Sequence, residues 1–499
     1  MISRLTSNAK IAGLIAFTVA ARLIIAATTG LGIDESYAVS VARPFSASYF
    51  DHPPLLFWIA GSAQSLFGQS SLAVRLPFIA LFAVTTWLIF RLTSVAFGET
   101  AGIFAAVTLN LAPVFSLTTG TWVLPDGPLM CALTASAYCV ARAVWGGDQR
   151  KPLWWVAAGV AAGAGLLAKY HAVLFLAGLG VWLITVSSGR VALRTAWPWI
   201  ALGIAVMGVV PVAIWNARHG WVSFAFQGSR AEWTHFSLAP FAENVTGQAL
   251  WLLPWIWLPL VWVFARALVR GPSDDRGWFF ACLAGIPIVL FTLATLGGRR
   301  GLPHWQAPGY LFAFPLLGRA MATWWTRAPR LFSRALASAA VVLIVVTSVA
   351  VLQVRTGWVA SVAPSLFAKG DPTVDALDWT TLGDWSANAQ NVEFVVAPSW
   401  IQGGKVGRGL RGRAPVVVLA PDPHHFLYAH DDRTFVGRSA LIVAVDRGGE
   451  SQLERYAPYF ASIDSIPPFE ISRNGRVATV LAARIGRGYR GGFPFAQPR

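Results

Sequence analysis

The sequence predicts a polytopic α-helical membrane protein with a small α/β domain at its C-terminus. Of its 499 residues, 55% are hydrophobic and only 12% are charged. In soluble domains about a quarter of all residues are charged. Apolar runs of about 20 residues, the length that crosses a bilayer core, recur along most of the chain. After residue 352 the composition becomes polar and rich in Gly, Pro and Asp, with short runs typical of strands.

The apolar runs predict about 11–13 transmembrane helices. The spans with clear boundaries are approximately 11–29, 75–97, 101–118, 127–145, 153–168, 171–187, 196–214, 246–266, 278–296, 305–320 and 334–352. Arg22 interrupts the first run, which we interpret as an uncleaved helix rather than a signal peptide. Leu55–Phe67, opened by Pro53-Pro54, is too short to cross the bilayer and is predicted to lie at its surface, unless it is a tilted span.

The distribution of basic residues predicts the topology. The net charge of +16 comes mostly from short loops and a C-terminal segment, with no basic block interleaved with aromatic residues. This pattern is typical of cytoplasmic loops rather than of a nucleic-acid interface. These loops contain Arg142, Arg150, Lys151, Arg190, Arg194, Arg266, Arg270, Arg276, Arg319, Arg327, Arg330 and Arg334. The loops 30–54 and 215–245 are therefore predicted on the outer side, within a transmembrane domain of residues 1–352.

Residues 353–499 are predicted to form a soluble domain, also on the outer side. Its short β-type runs are Val392–Ala397, Pro415–Ala420, Ala440–Asp446 and Val477–Ala483. Gly403, Gly404, Gly407 and Gly409 are interpreted as a loose loop, since no helix pattern follows them as a phosphate-binding loop requires. The nearby Arg408, Arg411 and Arg413 are interpreted as a solvated loop, with contact to phosphorylated lipid heads as the alternative.

Four polar clusters are predicted on the outer side. They are Asp34-Glu35, Asp51-His52, Asp126 after Pro125, and Lys169-Tyr170-His171. Each alone is consistent with a helix cap or a side chain that reaches the headgroups. Together they place the carboxylates Asp34 and Asp126 on the same membrane face as a cationic set. That cationic set is His52, Lys169, Arg299 and Arg300.

This combination of charges suits the transfer of a sugar from a polyprenyl phosphate. A carboxylate takes the proton of the incoming hydroxyl, and positive charge stabilises the departing phosphate. The sequence contains no His/Cys cluster with metal-ligand spacing, so no metal and no cofactor beyond the lipid-linked donor are predicted, with a divalent metal as the alternative. The expected partners are membrane lipids, the donor and the acceptor, with no nucleic acid, and the chain is expected to be a monomer.

Several motifs resemble the GT-C membrane glycosyltransferases. They are Asp34-Glu35 after the first helix, YFDHPPL at Tyr49–Leu55, RLP at Arg75–Pro77, the Pro125-Asp126 turn, GLLAKY at Gly165–Tyr170, PVAIWNARHGWVSFAFQ at Pro211–Gln227 and LPHWQAPGYL at Leu302–Leu311. They are most similar to the bacterial branch related to protein O-mannosyltransferases (glycosyltransferase family 39) and to the lipid A aminoarabinose transferase. The resemblance covers residues 1–352.

The resemblance implies an inverting hexosyl or pentosyl transferase in the bacterial inner membrane, with its site and C-terminal domain on the periplasmic side. It implies that Asp34 is catalytic, with Glu35 beside it. It implies donor binding by Asp51, His52, Asp126, Lys169, Arg299, Arg300, His304 and Trp305. His52 stands where relatives carry a phosphate-binding Lys, and His304-Trp305 where they carry a Tyr.

The sequence leaves two alternative functions open. It also does not identify the sugar or the acceptor. A transporter or flippase of a lipid-linked sugar is disfavoured because no second copy of the Asp-Glu or DHPP pattern appears. In a scaffold protein the clusters would only cap helices. The acceptor is lipid A, lipopolysaccharide core, another glycan or a protein. The sugar is also open, and an anionic one would suit Arg218, Arg230, Arg299 and Arg300.

Overall fold

The computed structural model of the protein describes residues 6–147, 150–229, 233–367, 370–388, 391–445 and 451–495. Arg230 lies outside these described residues. The chain forms two compact units, each made from separate stretches of sequence. The first, here called the helical unit, comprises Met1–Leu23, Pro77–Ile214 and Phe224–Ile344. The second, here called the mixed unit, comprises Ile24–Leu76, Trp215–Ser223 and Val345–Arg499.

Helices dominate the chain up to residue 356. They are α1 Ser7–Thr28, α2 Ile33–Val41, α3 Leu55–Phe67, α4 Ser71–Phe97, α5 Glu99–Leu111, α6 Asp126–Trp145, α7 Lys151–Ala168, α8 Ala172–Thr185, α9 Ser187–Leu193, α10 Trp197–Met207, α11 Val210–Arg218, α12 Val222–Ser229, α13 Leu238–Leu252, α14 Pro254–Arg270, α15 Asp275–Ala294, α16 Ala307–Arg327 and α17 Pro329–Thr356. A π-helical segment, Val114–Thr119, follows α5, and short 3₁₀ turns occur at Gly271–Ser273 and Thr295–Gly297.

Many of these helices have the length and composition of membrane spans. Within the described residues, seven are long and apolar enough to cross a bilayer, and the number is nine if each of two bent helix pairs is one span. The pair α8 and α9 bends by 104° and the pair at Leu238–Leu252 and Pro254–Ser273 by 109°. The chain is therefore a multi-pass membrane protein. The predicted 11–13 spans exceed this length-based number, in part because the run 101–118 is divided where α5 ends at Leu111.

The predicted helix after Pro53-Pro54 is present. It is α3, with Pro54 at its N-cap and 13 residues to Phe67. At about 1.5 Å per residue it is roughly 20 Å long, shorter than the hydrocarbon core of a bilayer. Its location at the membrane surface stays a prediction.

Small residues bring α6, α7 and α10 together in the helical unit. A Cβ added at Gly159 of α7 would lie only 2.8 Å from the Cα of Ala201 in α10. Such close backbone approach is typical of membrane helices, whose association depends on packing. Because α6 and α7 are consecutive and pack against each other, the N-terminus of α6 lies beside the C-terminus of α7. That end of the pair carries Asp126 and Lys169.

The mixed unit contains a six-stranded sheet. Its strands are β1 Phe394–Ala397, β2 Val416–Val418, β3 Ala440–Val445, β4 Phe460–Ser465, β5 Phe469–Arg473 and β6 Arg476–Tyr489. The order is β2-β1-β3-β6-β4, with β5 also paired to β6. β1 is parallel to β2 and β3, whereas β6 is antiparallel to its neighbours. Its shorter helices are α18 Trp358–Val362, α19 Thr380–Asn388, α20 Trp400–Leu410, α21 Phe426–Ala429 and α22 Ser451–Glu454, and its 3₁₀ turns are Pro364–Phe367, Pro372–Ala376, Asp432–Phe435 and Ala457–Tyr459.

All four strands predicted from the sequence are found, although with different ends, and two more were missed. The predicted strands contain buried apolar residues such as Phe394, Val417 and Ile442 in one core. β4 and β5 have the sequences FASIDS and FEISR and are mostly exposed or half-buried. A strand of this kind lacks the apolar run by which the others were recognised.

The prediction of a loose glycine loop at 403–409 is wrong, because these glycines lie inside α20. α20 packs directly on α2. A Cβ at Gly404 would lie 2.7 Å from the backbone nitrogen of Tyr37, and Ser40 donates a hydrogen bond from Oγ to the Gly404 carbonyl at 2.8 Å. Glycine disfavours an isolated helix, but here it lets two helices touch. Arg408 is likewise buried rather than solvated.

Replacing Gly404 by alanine is expected to destabilise the protein. The added methyl group would meet the rigid Tyr37 backbone, and overpacking of this kind costs about 1–3 kcal/mol. The apparent melting temperature in detergent measures the effect. Gly180→Ala in α8 is the matched control, since a Cβ there meets no atom within 4 Å. Equal melting temperatures for the two variants would contradict the close contact.

Candidate active site

The acidic pair after the first helix lies at the start of α2. Gly32 is the N-cap, so Asp34 and Glu35 occupy the first turn, where carboxylates are stabilised by the helix dipole. Successive helix residues point about 100° apart. Glu35 is accordingly buried and Asp34 exposed. The structure therefore gives two neighbouring carboxylates different environments.

Glu35 is held by a buried ion pair with Arg75. The guanidinium donates to both carboxylate oxygens, with Nε 2.8 Å from Oε1 and Nη2 2.6 Å from Oε2. Glu35 Oε2 also accepts the Gly32 N–H at 2.9 Å. Arg75 donates in addition to the carbonyls of Thr29 and Gly30 at 3.1 and 2.8 Å. This ion pair fixes the turn that connects α1 to α2.

The predicted Asp51-His52 pair lies in the mixed unit beside Tyr37. Tyr37 donates from its hydroxyl to Asp51 Oδ1 at 2.7 Å, and Asp51 is 8% exposed. His52 Nε2 is 3.9 Å from Asp51 Oδ2. The hydroxyl of Tyr37 also accepts the backbone N–H of His425 at 3.2 Å. Burial and the Asp51 carboxylate raise the pKa of Tyr37 well above its ordinary value, so it remains a hydrogen-bond donor.

His425 is a buried imidazole that the sequence did not single out. Its Nδ1 accepts the Phe50 N–H at 3.2 Å, so the ring is neutral there. Burial lowers the pKa of His425 to about 3. Its ring lies 4.5 Å from that of Tyr49. The adjacent His424 and His425 lie far from the first loop in sequence, and no local pattern indicates that His425 packs against that loop.

In the helical unit the predicted Asp126 and Lys169 meet. Lys169 Nζ is 2.9 Å from both Oδ1 and Oδ2 of Asp126, and both side chains are at least 90% buried. Electrostatic interactions also connect Asp126 with His171 and His304. A cation is therefore fixed at the adjoining ends of α6 and α7, with two imidazoles nearby.

The remaining predicted residues of the helical unit lie between α15 and α16. Arg300 is exposed and pairs with Glu243 at 3.1 Å, and Arg299 is exposed too. The structure gives Arg300 this acidic partner rather than Asp126. His304 and Trp305 are half-buried. Phe291 contacts Trp305 and also His171, with ring centroids 5.8 and 4.5 Å apart.

Arg22 is a second residue whose role the sequence did not reveal. It is 4% exposed and donates to the Ser116 carbonyl and to Asn110 Oδ1 at 3.0 and 2.9 Å. Ser116 belongs to the π-helical segment that leads to Asp126. The lone arginine in an apolar run was the available signal, because such residues mark functional or structural centres in membrane helices. Arg22 thus braces the segment that precedes the Asp126–Lys169 pair.

No group of three or more His, Cys, Asp or Glu side chains is placed to hold a metal ion within the part of the chain that the structure describes. The charged clusters described above are ion pairs and hydrogen-bonded carboxylates.

Known membrane glycosyltransferases resemble this chain in sequence. A family model described as dolichyl-phosphate-mannose-protein mannosyltransferase matches residues 51–215. Undecaprenyl phosphate-alpha-4-amino-4-deoxy-L-arabinose arabinosyl transferase 1 of Proteus mirabilis is 29% identical over 152 residues, which are 30% of this chain and 28% of that protein. Lipid A galacturonosyltransferase RgtD of Rhizobium johnstonii is 23% identical over 306 residues, which are 59% of this chain and 60% of that protein. The chain therefore spans less than two thirds of the length of these relatives.

A solved structure has the same fold over nearly the whole chain. The crystal structure of ArnT from Cupriavidus metallidurans bound to undecaprenyl phosphate has a TM-score of 0.62 at 17% identity, over 94% of this chain and 98% of that one. The resemblance to GT-C membrane glycosyltransferases predicted from the motifs is confirmed. The predicted fold class, a polytopic α-helical membrane protein with a small C-terminal α/β part, is confirmed as well.

Replacing only one residue of the Lys169–Asp126 pair is expected to destabilise the protein more than a buried pair of uncharged side chains would. Lys169→Met or Asp126→Leu alone leaves one buried charge without its partner, which costs about 3–5 kcal/mol. The double variant leaves neither charge, so its loss should be clearly smaller than the sum of the two single losses. Thermal unfolding in detergent measures all three.

The exposed Arg300–Glu243 pair is the matched control, with side chains 82% and 55% exposed. Its variants should change stability by less than about 1 kcal/mol. Additive effects at Lys169 and Asp126 would show that the two charges do not stabilise each other.

Protein stability is expected to fall as the pH is lowered from 6.5 towards 3, in part because of His425. Its pKa is about 3 in the folded protein and about 6.5 in the unfolded chain. Between these values only the unfolded chain takes up the proton, which removes up to about 1.4 kcal/mol of stability per pH unit. Melting temperatures between pH 7.5 and 5 should show a shallower decline for His425→Gln. The exposed His235→Gln should keep the original slope, and an unchanged slope in His425→Gln would contradict the assignment.

Proposed function

We propose that the protein is an inverting glycosyltransferase that moves a sugar from a polyprenyl-phosphate donor to lipid A at the periplasmic face of the inner membrane. The similarity to an undecaprenyl phosphate-aminoarabinose transferase and to a lipid A galacturonosyltransferase supports this donor and this acceptor. The solved relative in complex with undecaprenyl phosphate supports the donor. The arginines predicted in cytoplasmic loops support the orientation.

The observation that carries the proposal is the different environment of Asp34 and Glu35. Glu35 is occupied by Arg75 and by the Gly32 N–H, whereas Asp34 is exposed on the same rigid turn. A general base needs an ionised, accessible carboxylate in a fixed position. The N-terminus of α2 favours the ionised form of Asp34. Asp34 is therefore the base, and Glu35 acts by positioning it.

The reaction balances as a single displacement. The acceptor hydroxyl oxygen attacks the anomeric carbon of the sugar, and its proton passes to the Asp34 carboxylate. The bond between the anomeric carbon and the phosphate oxygen breaks on the opposite side, and the polyprenyl phosphate leaves with the electron pair. The configuration at the anomeric carbon is inverted because the attack and departure occur on opposite faces.

Lys169 is proposed to stabilise the phosphate of the donor. Both hydrogen bonds that its ammonium makes with described residues go to Asp126, and an ammonium has three N–H donors. The third is available for a phosphate oxygen, where negative charge grows as the bond breaks. Asp126 holds Lys169 in place, and His304 and Trp305 are proposed to contact the donor head. Arg299, Arg300, Asp51 and His52 are proposed to contribute to donor binding from their own loops.

The catalytic machinery is proposed to belong to residues 1–352, and residues 353–499 are proposed to lie on the periplasmic side. The two relatives are named for the transfer of different sugars, aminoarabinose and galacturonic acid. An experiment with both donors identifies the sugar that this protein transfers.

Asp34→Asn is expected to abolish sugar transfer while donor binding persists. The amide keeps the shape and hydrogen bonding of the side chain but is a far weaker base, and loss of a general base costs about 10²–10⁴ in rate. The added sugar is detected by mass spectrometry of lipid A. The cells lack the chromosomal gene and express either the wild-type protein or the variant. Binding of undecaprenyl phosphate to purified protein measures donor affinity.

Glu393→Gln is the matched control, because it replaces an exposed carboxylate on the surface, paired with Arg438. It should restore the sugar fully. Normal transfer by Asp34→Asn would remove Asp34 from catalysis, and lipid A without any wild-type-dependent sugar would contradict the proposed acceptor.

A further inference from the structure

The turn that precedes Asp34 is held by side chains from the C-terminal third of the chain. Leu31 is fully buried, and both of its backbone groups have side-chain partners. Its N–H donates to Asp378 Oδ1 at 3.2 Å, and its carbonyl accepts from Lys405 Nζ at 2.7 Å. One residue, three positions before Asp34, is therefore clamped from both sides by residues about 350 positions away.

Lys405 is suited to hold a backbone rather than to bind a ligand. It is 2% exposed, and its ammonium donates a second hydrogen bond to the Leu377 carbonyl at 2.8 Å. Its charged surroundings include Asp378, Asp375, Glu35 and Arg408. Burial lowers the pKa of Lys405 to about 8, so it is mostly protonated at neutral pH. The Lys405 ammonium thereby holds the carbonyls of both Leu31 and Leu377.

Asp378 is fixed by an ion pair of its own. Arg408 Nη2 lies 3.0 Å from Asp378 Oδ2, and the same guanidinium nitrogen is 3.1 Å from Ser71 Oγ. Ser71 in turn donates to Asp378 Oδ2 at 3.2 Å. Since Lys405 and Arg408 are both on α20, one helix provides Lys405 and also holds Asp378 in place. The same helix touches α2 at Gly404 and Ser40.

We propose that Lys405 and Asp378 are positioning residues for the base Asp34, through their hydrogen bonds to the two backbone groups of Leu31. The inference rests on the proposed function, since it assumes that Asp34 accepts the proton. Misplacement of a catalytic group by about 1 Å is enough to lower a rate about a hundredfold. Asp34 lies in the first turn of α2, directly after the segment that contains Leu31, so the position of its backbone depends on that segment.

The test compares wild type, Lys405→Met and Lys405→Gln in transfer assays with undecaprenyl phosphate-linked aminoarabinose and, in parallel, undecaprenyl phosphate-linked galacturonic acid, with lipid A as acceptor. Met keeps the length of the side chain and removes every donor, whereas Gln keeps two N–H donors. Met should lower kcat about 10- to 100-fold with KM for donor and acceptor within twofold of wild type. Gln should recover part of that loss.

Arg487→Gln is the matched control, because it removes an exposed cation of the same C-terminal segment, paired with Asp464, and it should keep the wild-type kcat. Amide hydrogen exchange provides a readout that needs no activity. Residues 31–36 should exchange at least tenfold faster in Lys405→Met than in wild type or in Arg487→Gln. Asp378→Asn is measured in the same way, which covers the case in which Lys405→Met does not fold.

The outcomes separate the inference from the proposed function. If wild type transfers neither sugar to lipid A, the proposed function fails. If wild type is active and the folded fractions of Lys405→Met and Asp378→Asn keep its kcat, the positioning role is overturned. A loss in kcat that Gln partly restores, with faster exchange at 31–36, supports it, whereas an equal loss for Met and Gln with unchanged exchange overturns it.

Discussion

The ion pair between Arg75 and Glu35 is the interaction on which the rest of the candidate site depends. One guanidinium binds both oxygens of Glu35 and the carbonyls of Thr29 and Gly30, directly after α1. It thereby joins the first membrane helix to α2 and satisfies backbone groups that a tight turn leaves open. Glu35 is engaged in this ion pair, whereas the neighbouring Asp34 is exposed and is the proposed base. Two sequence neighbours with the same charge therefore lie in different environments.

Buried charges occur repeatedly at turns that must keep one geometry. Glu35–Arg75, Asp126–Lys169 and Asp378–Arg408 are each short ion pairs between largely buried groups. Such pairs add little net stability, since desolvation offsets attraction, but breaking one is costly. They therefore select a single arrangement of the chain.

Features set by periodicity and by neighbouring elements were predictable from the sequence. Asp126 and Lys169 meet because they lie at the adjoining ends of two consecutive helices, and α3 begins directly after its two prolines. The failures concern contacts distant in sequence. The glycines of α20 resemble a loop by propensity, because only their packing on α2 makes a helix favourable. The Lys405–Leu31 bond joins residues 374 positions apart, and no local pattern encodes it.

The change of composition near residue 352 marks the end of the apolar spans, but the chain does not divide there into compact parts. Ile24–Leu76 and Val345–Arg499 belong to one unit, in which α2 packs on α20 and Tyr37 and Leu31 bond to residues beyond 370. The first loop is therefore structurally incomplete without the C-terminal segment. The partners Asp378 and Lys405 of this turn become available only after synthesis has passed residue 405. The C-terminal segment is accordingly part of the scaffold of the candidate base rather than an appendage to it.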